Sequence, residues 1–247
     1  MDKGKNKTKQ LNLIKKQLIN EFGDQILSAV VYGSTLGDDY CKYSDYDILL
    51  IFDRIDFDTY KRLRNVKKSL NEQGLVIDFN SHTYSELPKE RKEVFWHNNR
   101  SVYMQKELAL YGKVLFGENY FRDLELDHHE MLVEAVKVIS SLNYQIRKTL
   151  TNMELNLKNR IIIMKWCIYS VMYFLAATNT FPQNKREALE LFNSKYHPPI
   201  NPIMFLNLKT RRPEEISESN LKDAFDFLSY MENLVYDLYK KETRYGV

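Results

Sequence analysis

Three aspartates and one Gly-Ser pair carry the chemistry that this sequence of 247 residues offers. Asp45 and Asp47 stand at i and i+2 at the head of the apolar run Asp45-Tyr46-Asp47-Ile48-Leu49-Leu50-Ile51-Phe52. On a strand, alternate side chains point to the same face, so the two carboxylates converge and form a seat for a hard divalent cation. Upstream, the apolar run Val30-Val31-Tyr32 ends in Gly33-Ser34. A glycine there lets backbone N–H groups come close to a phosphate. Downstream, Asp78 interrupts the run Leu75-Val76-Ile77-Asp78-Phe79, which reads as core. A carboxylate inside such a run needs a cation or donors, and a metal ion shared with Asp45 and Asp47 would supply that. Each signal alone is weak. Together they describe a nucleotide held through its phosphates and metal ions.

The elements that must position these residues read as follows. A polar, lysine-rich start (1–10) is expected to be solvated and partly frayed. Leu11, Ile14, Leu18, Ile19 and Phe22 then share one helical face, closed by Gly23. A strand is expected over 26–32, a short helix from Ser34, a polar loop over 38–44 and a strand over 47–52. An amphipathic helix over 56–72 ends at Gly74, and a third strand covers 75–79. Strands with helical cover make an α/β domain.

Beyond Pro88 the pattern is helical almost throughout. One or two helices fill 89–110, and 111–117 forms a glycine-punctuated turn or short strand. Further helices are expected over 127–156, 158–178, 185–192 and 218–241, with a proline-rich loop at 197–202. A composition shift near 120–127 divides the chain into an α/β domain, 1–122, and an all-α helical bundle, 123–247.

Composition narrows the function classes. Hydrophobic residues make up 44% and charged residues 28%, with a net charge of +3. That charge is too small to argue by itself for a nucleic-acid or membrane surface. The two cysteines, Cys41 and Cys167, have no zinc spacing and read as free thiols of a reducing compartment. The longest apolar stretch, 161–177, is broken by Lys165 and Ser170 and falls short of a membrane span. With no apolar leader after the basic start, the expected location is cytoplasmic.

Tyr32-Gly33-Ser34 together with Ser44-Asp45-Tyr46-Asp47-Ile48 resembles the signature of the polymerase-β-like nucleotidyltransferases. The likeness is to the small branch holding the aminoglycoside and lincosamide adenylyltransferases and the minimal nucleotidyltransferases. It covers roughly 26–79, and 110–117 is similar to the end of such catalytic domains. It implies a small mixed sheet with flanking helices, ATP as donor, and two Mg²⁺ ions about 3.5–4 Å apart. Asp45 and Asp47 would bridge the ions. Asp78 would bind the catalytic ion and orient or deprotonate the acceptor hydroxyl. Gly33 and Ser34 would hold the β- and γ-phosphates.

The layout of 159–185 is similar to the helical domain of streptomycin/spectinomycin adenylyltransferases, where an Arg opens a long helix and a Lys starts a short one. On that likeness Lys185 reaches the triphosphate tail. The implied reaction moves AMP to a hydroxyl of a small acceptor, with an aminoglycoside-type antibiotic as the best-motivated class. An alternative is an antitoxin-like nucleotidyltransferase that binds or AMPylates a partner protein. The long helical extension disfavours that reading. A template-independent RNA polymerase would want a basic, aromatic-lined groove. The resemblance leaves oligomeric state open.

Other candidates read more plainly as structure. Arg160 is expected in an interdomain salt bridge as readily as on a phosphate, and His128-His129 as a capping or surface pair. His82 and His97 lie near the third strand without a pattern of their own. Trp96, Trp166, Tyr169, Tyr173 and Phe174 are spaced as core. Glu130, Glu134, Asp223, Asp226 and Asp237 fall on amphipathic helices, where acids normally face water.

Overall fold

The computed structural model describes residues 3–36, 45–89, 101–125 and 127–245. The expected loop at 38–44, Trp96 and His97 lie outside them. The order is α1 (Lys3–Phe22), β1 (Ile26–Tyr32), β2 (Tyr46–Phe52), α2 (Phe57–Glu72), β3 (Ile77–Thr83), α3 (Ser101–Tyr111), β4 (Lys113–Phe116) and α4 (His128–Asn152). Then come α5 (Leu157–Ala177), α6 (Lys185–Tyr196), α7 (Ile203–Arg211) and α8 (Glu218–Tyr245). The chain forms two compact units, Met1–Phe95 with Met104–Glu125, and Trp96–Tyr103 with Leu126–Val247.

The first unit is a mixed sheet in the order β3-β2-β1-β4. β1 lies antiparallel to β2 and β4, while β2 and β3 run parallel across α2. The central strands are buried on both faces, which is why they read as nearly continuous apolar runs. One face, with Ala29, Val31, Tyr46, Ile48, Leu50, Phe52 and Ile77, packs on the apolar stripes of two helices: Ile14, Leu18 and Phe22 of α1, and Leu63, Val66 and Leu70 of α2. The other face, with Val30, Tyr32, Leu49 and Ile51, packs on Met104 and Leu108 of α3 and on Leu87 and Phe121. Asp56 caps α2 by accepting from Thr59 N at 2.8 Å, a contact of a kind that contributes about 1 kcal/mol.

The second unit is helical. α5 is its buried core, packed by α4, α6, α7 and α8. By length and composition α5 could cross a membrane, although the sequence reading treats Lys165 and Ser170 as breaks. Its burial inside the unit accounts for that apolarity.

Two sequence expectations change, at the start of α1 and in the bounds of β3, and two stretches left open are settled. α1 begins at Lys3, inside the stretch expected to fray. Gln10, half-buried on this helix, accepts from the Tyr46 hydroxyl at 2.7 Å. The proline-rich loop at 197–202 stands as expected, and α7 follows it in a stretch given no element from the sequence, because a nine-residue helix beside prolines has little periodicity to display. The stretch 111–117 resolves as the edge strand β4. β3 starts at Ile77 and continues into polar sequence to Thr83, rather than spanning 75–79. As the sheet's edge strand it is held by its ladder to β2 and needs no second apolar face.

Candidate active site

The three aspartates lie where β1 ends and β2 and β3 begin. Asp47 pairs with Tyr32 across the antiparallel ladder and with Asp78 across the parallel one. Asp45, two residues before Asp47, falls on the same face by strand alternation. Tyr46 between them points to the opposite face and is fully buried. Asp45 and Asp47 are each half-buried. The pairing therefore delivers all three aspartates to one end and one face of the sheet.

Gly33 completes this end. It follows Tyr32 into a single 3-10 turn, Gly33–Thr35, with φ +74. A Cβ added at Gly33 would lie 2.5 Å from Asp47 Oδ2. The position thus favours glycine for its left-handed backbone, and an added Cβ would also displace the Asp47 carboxylate from where it sits. The turn is closed by Leu36 N donating to Gly33 O at 3.2 Å and by Thr35 Oγ1 donating to Tyr32 O at 3.4 Å. Ser34 lies in the middle of it, but its side chain is outside the described part. A three-residue turn has no helix dipole to offer, so the backbone would meet an anion here through individual N–H groups.

Asp78 departs from its expected setting. Its side chain is 54% exposed, and Lys67 Nζ of α2 lies 3.7 Å from Oδ1. Val76, also expected in the core, is exposed. The premise that Asp78 is a buried carboxylate in need of a cation therefore fails. β3 is an edge strand, so a side chain at its start reaches water. What places Asp78 at the site is its register opposite Asp47, not burial.

Among the described residues, no three His, Cys, Asp or Glu side chains close into a metal cage. The donor set still fits a hard cation. Asp45 and Asp47 offer carboxylate oxygens from one face, and the missing Cβ of Gly33 leaves Asp47 room beside the turn.

Two further residues line this face: Asn80, which gave no sequence signal, and His82, which the sequence placed only near the third strand. Asn80 Nδ2 donates to the Tyr32 hydroxyl at 2.6 Å, tying β3 to the end of β1. His82 continues the same face by alternation and sets Nδ1 3.5 Å from Glu86 Oε2. Burial outweighs Glu86 and lowers the His82 pKa below 6.5. Neither could be placed on this face before the pairing of β3 with β2 was known.

Lys185 belongs to the helical unit, as the first residue of α6. Asn184 caps the helix by accepting from Glu187 N at 2.9 Å. Lys185 is buried, with Nζ 5.9 Å from the Tyr169 ring centre. Lys165 Nζ lies 5.4 Å from the same ring. The helix dipole opposes a cation at that end, and the aromatic face offsets part of the cost.

The remaining candidates are structural. Arg160 donates to Leu155 O at 2.7 Å and to Ile216 O at 2.6 Å. It clamps two backbone carbonyls within its own unit, where a salt bridge between domains was expected. His128 Nε2 lies 3.5 Å from Glu242 Oε2 at the surface. Trp166 and Tyr169 pack at the margin of the helical core, and Tyr173 and Phe174 lie inside it. Glu134 is buried, unlike an acid facing water, and accepts from Val102 N and Tyr103 N in the first turn of α3. Asp226 and Asp237 pair with Lys222 and Lys240.

Residues 11–107 match the family model described as "Nucleotidyltransferase domain". No curated protein sequence matches the chain. Among solved structures, the fold is similar to a spectinomycin adenyltransferase from Enterococcus faecialis crystallised with ATP and spectinomycin. The TM-score is 0.66 at 13% identity, covering 93% of this chain and 99% of the other. At that identity the likeness speaks for the fold, and the domain match speaks for nucleotidyl transfer. Residues 11–107, which bring Asp45, Asp47 and Gly33 to one end of the sheet, match a nucleotidyltransferase domain, and that match supports a transferase enzyme.

Proposed function

We propose that the protein is a Mg²⁺-dependent adenylyltransferase. It moves AMP from ATP to a hydroxyl of a small molecule, with aminoglycoside-type antibiotics as the first acceptor class to test, and releases pyrophosphate. The single observation that carries the reading is the joint placement of Asp47 against Gly33 and opposite Asp78, with Asp45 on the same face. The likeness to a structure solved with ATP and spectinomycin, spanning both units, supports the choice of donor and acceptor class.

Asp45 and Asp47 would hold the ions, with Asp78 as a further ligand of the catalytic ion. Mg²⁺, when bound, supplies Lewis-acid stabilisation of charge on the phosphates. Backbone N–H groups at Gly33 and Ser34, and the Ser34 hydroxyl, bind the β- and γ-phosphates. Asp78, exposed beside Asp47, orients the acceptor hydroxyl and takes its proton as the oxygen attacks the α-phosphate. Lys185 neutralises the triphosphate tail. Residues 1–122 perform the transfer, and 123–247 select the acceptor.

The test is pyrophosphate release from ATP and Mg²⁺ across a panel of aminoglycosides, lincosamides and proteins, with products read by mass. An AMP adduct on a small hydroxyl compound supports the proposal. Adducts on proteins alone refute the acceptor class. Asp47→Asn keeps the side-chain shape and removes a ligand charge, so it abolishes turnover in a folded protein. Normal turnover by that variant refutes the metal assignment.

A further inference from the structure

The ion pair between Lys67 and Asp78 is not required by the fold or by the reaction as described above. α2 is held to the sheet by Leu63, Val66 and Leu70, whose side chains are buried. Lys67 follows Val66 and does not belong to that core. Its four-carbon stem reaches from the α2 side of the sheet to the edge strand, where Nζ lies 3.7 Å from Asp78 Oδ1. Both side chains are about half exposed, at 43% and 54%. Lys67 also lines a shallow concavity with Arg64, Lys68, Asn71 and Glu72. Two neighbouring cations make a carboxylate partner favourable for its ammonium.

Asp78 is the strand partner of Asp47, yet the described carboxylates do not close into a metal cage. The Lys67 ammonium engages the third carboxylate instead. We propose that Lys67 is a positioning residue that holds Asp78 by its charge until a divalent cation competes for the same carboxylate. Metal binding at Asp45 and Asp47 then recruits Asp78 only by exchanging the ammonium for the ion. This inference rests on the metal reading of the three aspartates.

An exposed ion pair is weak and screened by salt. The exchange therefore tunes cation affinity by a few-fold and does not block binding. Lys68 supplies the control: it is the next residue on the same helix, exposed, with the same charge. A general loss of positive charge near the site acts alike in Lys67→Met and Lys68→Met. The contact with Asp78 is lost only in the first.

The experiment is Mn²⁺ titration, read by electron paramagnetic resonance without nucleotide, on the full chain and four variants. Lys67→Met should bind Mn²⁺ about two- to fivefold more tightly than Lys68→Met at low salt, with the gap closing at high salt. In an Asp78→Asn background, Lys67→Met should no longer differ from Lys68→Met. Equal affinities for the two lysine variants in the parent chain, or no Mn²⁺ binding in any variant, overturn the inference. So does a gap that survives Asp78→Asn. The catalytic reading is judged separately, by whether Asp47→Asn loses pyrophosphate release, so each can fail without the other.

Discussion

Gly33→Ala separates the two demands placed on that glycine. The residue holds φ +74, where an L side chain costs roughly 1–2 kcal/mol. The added Cβ would also stand 2.5 Å from Asp47 Oδ2, whereas ordinary contact begins at 3.4 Å. Either the turn or the carboxylate must yield by 0.9 Å (3.4 − 2.5). Misplacing a reacting group by about 1 Å costs on the order of 100-fold in rate, equivalent to about 2.7 kcal/mol of barrier. Gly23→Ala and Gly74→Ala provide the comparison. Both glycines have positive φ, +52 and +79, and a Cβ there meets nothing within 4 Å. All three variants should lose about 1–2 kcal/mol in urea unfolding. Only Gly33→Ala should also lose about 100-fold in kcat/KM for pyrophosphate release. Turnover of Gly33→Ala equal to that of Gly74→Ala would refute the argument that this glycine exists to seat the Asp47 carboxylate.

The other predictions concern acid–base chemistry and packing. The His82 pKa is lowered by burial, so the unfolded chain takes up a proton near 6.5 while the folded chain does not. Stability should therefore fall as the pH drops below 6.5 toward the lowered value. His82→Asn should flatten that part of the profile, and an unchanged slope in chemical denaturation would contradict it. Arg160→Ala leaves the Leu155 and Ile216 carbonyls without their guanidinium donors. It should cost about 1–3 kcal/mol in unfolding free energy, with kcat retained in the folded fraction. Cys167 is fully buried, and burial pushes its thiol well above the usual value. It should resist alkylation in the native protein and react on denaturation, as followed by intact mass.

The order of elements and much of the site can be read from local pattern. Ile26–Tyr32, the run headed by Asp47, and α2 between its Asp56 cap and Gly74 all follow from periodicity and turn chemistry, which are properties of neighbouring residues. The Asp45–Asp47 alternation and the Gly33–Ser34 turn belong to the same class, because both depend on a single strand or its end. Tertiary structure decided what depends on pairing. β3 carries Asp78 opposite Asp47 only because it runs parallel to β2. The same edge position exposes Asp78 to water and to Lys67 from another element. Asn80 met Tyr32, Glu134 met the first turn of α3, and Arg160 met Ile216 by the same route. A hydrogen bond between distant residues leaves no periodic trace in the chain, whereas a strand or helix repeats its signal at every turn.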